Sequence, residues 1–229
     1  MTIKVLSTHA LAEVLHELTP VFERKGGQTL SFAYNPSAEI RREIDKGAAL
    51  DVAIVTKSAI SDLAEQGRII SETCQTLARC GLGLAVRAGA PRPDISTVDS
   101  FRRALLAATS VVRSKDGVSG QHFEALLTRL GIAEAMRGKI VIGPAGRVAE
   151  LVARGEAEMA VQQVPELIPV AGTVFVGPLP DELQLYTEFA AGVAAASTQS
   201  PQARQFVEIL TAPAAAAIYR AKGLEPAVR

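Results

Sequence analysis

The chain has 229 residues, 48% of them hydrophobic and 21% charged, which is enough apolar material for sizeable cores and excludes a disordered chain. Lysine plus arginine and aspartate plus glutamate balance at 24 each, so the chain carries no basic footprint for nucleic acid or an anionic membrane. Aromatics at 4%, with no tryptophan, argue against base-stacking platforms, and any anion site must be local, built from helix ends and a few cations.

Ile3 to Leu6 reads as a short strand, and Leu11, Val14, Leu15, Leu18 and Phe22 recur at helical spacing up to Gly26-Gly27. Thr29 to Tyr34 is the next strand, Asn35-Pro36-Ser37 a turn into a cap, and Ala38 to Asp45 a helix stopped by Gly47. Asp51 to Val55 is a third strand and Ser58 to Gln66 a third helix. Strands and helices that alternate through short loops mean parallel βαβ units.

Leu77 to Val86 is strand-like and is broken by the AGAPRP stretch ending at Pro93. A new series follows: a helix at Ser100 to Ala107, a strand at Ser110 to Val112, a polar loop at Ser114 to Gly120 and a helix at Gln121 to Leu130. Lys139 to Ile142, Glu158 to Val161 and Val174 to Val176 are strands, with a helix at Arg147 to Ala153. Phe189 to Ala196 resembles a returning strand, and helices at Pro201 to Leu210 and Ala212 to Ala221 close the chain. No Pro/Gly/Ser linker divides the halves. The expectation is therefore a discontinuous first lobe, residues 1–82 plus 190–229, with a second lobe, 83–189, inserted into it and a ligand cleft between the two.

In open α/β sheets, ligands bind beyond the carboxyl ends of strands, where helix-start N–H groups favour anions. Four junctions have that character: Ser7-Thr8-His9-Ala10, Asn35-Pro36-Ser37-Ala38, the SKDGVSG loop from Ser114 to Gly120, and Gly143-Pro144-Ala145-Gly146-Arg147. The first two read equally as plain helix caps. Arg147 suits a bidentate carboxylate partner but, taken alone, reads more readily as a solvated helix-start arginine. His16 reads as a surface residue of the first helix, His9 and His122 lie near candidate ligand loops and read more readily as structural or capping residues than as catalysts, and no nucleophile elbow, Walker loop, zinc-binding helix or metal-ligand spacing occurs. Cys74 and Cys80 flank a strand-like run, so a disulfide requires that segment to bend back. MTIKVLS runs directly into a strand pattern, and no stretch approaches about 18 uninterrupted apolar residues. The expected location is periplasmic if a leader was removed and otherwise cytoplasmic, with no direct membrane insertion.

The stretches RVAELVARGEAEMAVQQVPEL (Arg147 to Leu167), VGPLPDELQLYT (Val176 to Thr187) and TAPAAAAIYRAKGLEP (Thr211 to Pro226) resemble the bacterial solute-binding proteins related to the periplasmic molybdate-binding protein. The resemblance covers nearly the whole chain. It implies two Rossmann-like lobes joined by a two-stranded hinge, the type 2 periplasmic-binding-protein fold. It also implies a small anionic ligand held by Ser7, Thr8, His9, Ala10, Ser37, Ser119, Arg147, Val148 and Gln162, and an ABC transporter membrane component as partner. Molybdate binders of the family carry hydroxyl donors where this chain has Ala10 and Gln162, while His9 and Arg147 suit a carboxylate ligand. The same branch resembles an aconitate isomerase, which implies a metal-free, cofactor-free isomerase of a tricarboxylic acid as the alternative. There His9, Ser37, Lys115, Arg147 and Gln162 would supply acid, base and clamps. A cytosolic ligand sensor is a third class, for which the sequence shows no DNA-binding helix pair.

Overall fold

The computed structural model describes residues 2–26 and 28–227. Gly27, expected with Gly26 to end the first helix, lies outside the described residues. The chain forms two units: Met1–Arg79 with Thr187–Arg229, hereafter unit 1, and Cys80–Tyr186, unit 2.

Unit 1 opens with β1 (Thr2–Ser7), a 3-10 turn (His9–Leu11) and α1 (Ala12–Gly26). It continues through β2 (Thr29–Tyr34), α2 (Ser37–Asp45), β3 (Val52–Thr56), α3 (Lys57–Glu65) and β4 (Gln75–Cys80). β1 pairs in parallel with β2 on one side and β3 on the other. The four residues Val52–Val55 are all buried, as expected for a strand covered on both faces. Ile40, Ile44, Ala59, Ile60 and Leu63 from the two helices pack with Ala53 and Val55. Each such side chain removed from water contributes roughly 1.5–3 kcal/mol.

Unit 2 runs through β5 (Leu82–Arg87), α4 (Val98–Ala107), β6 (Val111–Ser114), α5 (Val118–Arg129) and α6 (Ala133–Met136). It then passes through β7 (Ile140–Gly143), α7 (Val148–Ala153), β8 (Met159–Gln163), α8 (Val164–Leu167) and β9 (Thr173–Pro178). Its sheet order is β7-β6-β8-β5-β9, in which β6 is parallel to both β7 and β8 while β5 is antiparallel to β8 and β9. One face buries Phe101, Phe123, Leu126 and Met136, the other Val148, Ala149, Val152 and Leu167.

The chain returns to unit 1 as β10 (Thr187–Val193), α9 (Ser200–Thr211), α10 (Ala216–Ala221) and β11 (Glu225–Pro226). β10 pairs antiparallel with β3, giving the order β11-β4-β10-β3-β1-β2. Asp51 fastens the returning chain: it accepts from the Lys4 amide at 2.8 Å and from the Ser197 hydroxyl at 2.6 Å.

The strand expected over Leu77 to Val86 is two strands, divided at Gly81. There the Gln184 side chain pairs with Leu82, accepting from its N–H at 2.6 Å and donating to its C=O at 3.0 Å. Cys74 precedes β4 and Cys80 ends it. An extended strand holds such positions about 20 Å apart, and the Cys74 thiol is free, so the two are not bridged.

Candidate functional site

In unit 1 the chain steps from β1 out to β2 and back to β3 on the opposite side of β1, so the carboxyl ends of β1 and β3 form a switch point. Ser7 closes β1, fully buried, and its hydroxyl donates to the Thr8 carbonyl at 3.1 Å. The Thr8 amide is used internally, donating to the Ile54 carbonyl at 3.0 Å. What Thr8 can offer a ligand is its hydroxyl, which is buried without a hydrogen-bond partner among the described residues. His9 begins the 3-10 turn, with its ring 5.9 Å from that of Tyr34. Burial, aided by the Glu13 carboxylate, raises the Tyr34 phenol above its ordinary range, and its oxygen lies 3.1 Å from His16 Nε2. Ala10 is buried and brings no side-chain donor. Ser37, the first residue of α2, accepts from the Thr56 amide at 3.1 Å, which leaves its own O–H to donate.

In unit 2 the carboxyl ends of β6, β7 and β8 lie along one edge of the sheet. The loop after β6 is held close to its strand: a Cβ on Gly120 would come 1.9 Å from the Ser114 carbonyl oxygen, and one on Gly117 would come 2.6 Å from Ser114 Oγ. At Gly120, where the obstacle is backbone, only glycine allows that approach. It brings Ser119, buried in the first turn of α5, to the end of β6, whereas the sequence placed Ser119 in a loop. Lys115 is exposed beside it. His122 is structural, its Nε2 lying 2.9 Å from the Leu183 carbonyl.

Arg147 caps α7 and is exposed. Its guanidinium forks onto Glu150, with Nε to Oε1 and Nη2 to Oε2 both 2.8 Å. That pairing holds the Glu150 carboxyl below its usual range. Val148, beside it, is fully buried. Gln162 on β8 is 1% exposed, and its Oε1 has no hydrogen-bond partner among the described residues.

The nine expected residues therefore fall on two strand-end edges, five in unit 1 and four in unit 2. Two further groups were missed from sequence. Arg113 sits one residue before the end of β6 with its side chain 9% exposed. It donates from Nη1 to the Ser114 carbonyl at 3.1 Å and pairs with the 65% exposed Glu124, while its Nε is left without a partner among the described residues. An arginine inside the apolar VVRS run was the available signal. Glu166, in the first turn of α8, has its carboxyl pushed up to about 8 by burial, with a hydrogen bond from Gln162 opposing the shift. Among the described residues no group of three or more His, Cys, Asp or Glu could hold a metal ion.

Residues 3–225 match the family described as bacterial extracellular solute-binding protein. The chain is similar to an aconitate isomerase from a Pseudomonas species, 32% identical over 98% of this chain and 88% of that protein. In structure it is similar to the periplasmic molybdate-binding protein of Azotobacter vinelandii, with a TM-score of 0.80, 19% identity and 97% and 98% of the two chains covered. It is also similar to the sulfate-binding protein SubI of Mycobacterium tuberculosis H37Rv, with a TM-score of 0.77, 17% identity and 99% and 87% covered. These likenesses show the type 2 periplasmic-binding-protein fold. With a matching model over nearly its full length and a relative at this identity, the chain belongs to the bacterial extracellular solute-binding protein family.

Proposed function

We propose that this protein captures a small organic anion carrying several carboxylates, through Ser7, Thr8, His9, Ala10 and Ser37 of unit 1 and Ser119, Arg147, Val148 and Gln162 of unit 2. One observation carries the reading: both edges keep a buried polar group unpaired, Thr8 Oγ1 in one and Gln162 Oε1 in the other. A buried polar group without a partner costs about 1–3 kcal/mol, a cost a ligand would offset. Family membership supports a role outside the cytoplasmic membrane as the capturing partner of an ABC transporter. No described helix is long and apolar enough to cross a membrane itself.

A second reading, isomerisation of a tricarboxylate, is favoured by the relationship to an aconitate isomerase and by a carboxyl whose pKa of about 8 suits proton exchange near neutrality. A thermal-shift screen of molybdate, tungstate, sulfate, dicarboxylates and tricarboxylates tests both readings, with calorimetry and a turnover assay on each hit. Tricarboxylates should raise Tm. Molybdate should bind weakly, because Ala10 and Gln162 bring no hydroxyl. Submicromolar molybdate binding with no response to any carboxylate would overturn the proposal. Conversion between cis- and trans-aconitate would establish the enzyme reading, and binding without turnover the transport reading.

A further inference from the structure

Two arginines of unit 2 present the same chemistry and use it differently. The Nε and Nη2 hydrogens of a guanidinium lie along one edge, and that edge fits both oxygens of a carboxylate at once. In Arg147, which is exposed, the edge is full: Nε and Nη2 each meet one oxygen of Glu150 at 2.8 Å. In Arg113, which is buried, it is half used. Nη2 lies 2.8 Å from Glu124 Oε2, while Nε has no hydrogen-bond partner among the described residues.

Arg113 comes two residues after Val111 on β6 and shares its face, which packs against Phe123, Leu126 and Leu127 of α5. Glu124 follows Phe123 on that helix, so the ion pair sets the guanidinium between the end of β6 and α5. Its Nη1 donates to the Ser114 carbonyl, the same carbonyl that the backbone of Gly120 approaches, one residue from Ser119. Stability alone gives little reason to bury a cation here. Exchanging a buried ion pair for apolar groups of similar size is often neutral or stabilising, and the unmet Nε adds a cost of its own. Glu124 is mostly exposed and regains water when it lets go. Arg113 thus stands beside the first turn of α5 with a half-filled edge and a displaceable counter-ion.

We propose that Arg113 is a ligand-binding residue: a carboxylate of the captured anion displaces Glu124 and takes the Nε–Nη2 edge with both of its oxygens, while Nη1 stays on the Ser114 carbonyl. This rests on the reading that the ligand carries carboxylates. Glu124 is then a tethered competitor, which occupies half of the edge until a carboxylate that fits both halves arrives. One ion pair replaces another, so the guanidinium is never left buried without a counter-charge. The net gain is the bond made at Nε, the group that has no partner among the described residues in the ligand-free protein.

The test begins with NMR of the arginine Nε–H groups, the Arg113 signal being the one lost in Arg113→Lys. Titration of the parent with cis-aconitate should move that signal downfield and slow its exchange with water. Calorimetry with cis-aconitate should then show Glu124→Ala binding roughly threefold to tenfold more tightly than the parent, because the competitor is gone. A guanidinium that served only to brace β6 against α5 would lose its brace in that variant, and binding would weaken or stay the same. Arg113→Lys keeps the charge and loses the edge, so it should bind more than tenfold more weakly. The proposal is overturned if Glu124→Ala binds no more tightly than the parent, or if Arg113→Lys binds as the parent does. An Arg113 Nε–H signal that stays in place while cis-aconitate binds removes Arg113 from the shell and leaves the carboxylate reading intact. If cis-aconitate binds neither the parent nor Glu124→Ala, the carboxylate reading itself fails and the role of Arg113 fails with it.

Discussion

The strand-end edges of the two units solve the same problem with different chemistry. In unit 1 the polar groups are neutral and mostly satisfied by one another: Ser7 by the Thr8 carbonyl, Ser37 by the Thr56 amide, the Thr8 amide by Ile54. The edge cation Lys57 is half-exposed and already paired with Glu188 at 3.3 Å. In unit 2 the groups are buried and electrically active: a guanidinium 9% exposed, a carboxyl pushed to about 8, and an amide acceptor with no partner. A charge or dipole taken out of water interacts far more strongly than one left in it. On the proposed reading, discrimination between anions should therefore reside mainly in unit 2, with unit 1 as a generic polar seat.

That contrast can be broken at several points. The largest effect is expected from Gly120→Ala. Its Cβ would meet a backbone carbonyl, which cannot rotate away, so α5 must lift from β6. Unfolding in denaturant should show a loss of about 2–3 kcal/mol, with anion binding lost as Ser119 moves. Arg113→Leu removes the buried cation but leaves Glu124 in water, so Tm should change little while affinity for a carboxylate ligand falls more than tenfold by calorimetry. Affinity unchanged in that variant would return discrimination to unit 1. Thr8→Val should cost roughly tenfold in affinity through one donor, with stability maintained or slightly raised, because the hydroxyl has no internal partner to lose.

Glu166→Gln sharpens the comparison through pH. The folded pKa of Glu166 lies above its unfolded value of about 4.3, so the folded state binds the extra proton. The parent is thus penalised as pH rises from about 4.3 to about 8. Tm measured across that range should show Glu166→Gln gaining on the parent with rising pH and matching it under acid conditions. The smallest effect is expected from Arg147→Ala. Its fork onto Glu150 is solvent-exposed, and such pairs contribute little to stability. Affinity for a carboxylate ligand should fall only about threefold, because the guanidinium reaches a ligand by giving up Glu150; unchanged affinity would remove Arg147 from the ligand shell.

Much of this architecture was legible in the sequence because its periodicities are long and clean. β2 runs from Thr29 to Tyr34 as the alternation implies, and α2 and α9 lie within a residue of their apolar spacing. The failures have local causes. Gly81 splits one expected strand because a side chain, Gln184, supplies the pairing there, and side-chain mimicry leaves no periodic trace. SKDGVSG reads as a loop because glycine usually marks one, yet α5 begins at Val118 and the glycines serve close packing against Ser114. The four-residue helices α6 and α8 are too short for a period to register. The surroundings of the proposed site residues were less legible. That the Thr8 amide is spent and that Glu166 is pushed upward depend on a neighbour distant in sequence or on burial, whereas the Arg147–Glu150 pair, three residues apart, was within reach of the sequence.

Gln184 also bears on how such a chain reaches its fold. By pairing with Leu82 through both its N–H and its C=O, it joins the start of unit 2 to its end. On the other side of the cut, β4 and β10 are neighbours in the unit 1 sheet. An unstructured insertion of this length would charge unit 1 the closure entropy of a long loop. Once unit 2 has folded with its ends latched, the insertion acts as a short, stiff bridge, and β10 finds β4 at little further entropic cost. Loosening the latch with Gln184→Ala should therefore slow the refolding of unit 1, even though the residue belongs to unit 2.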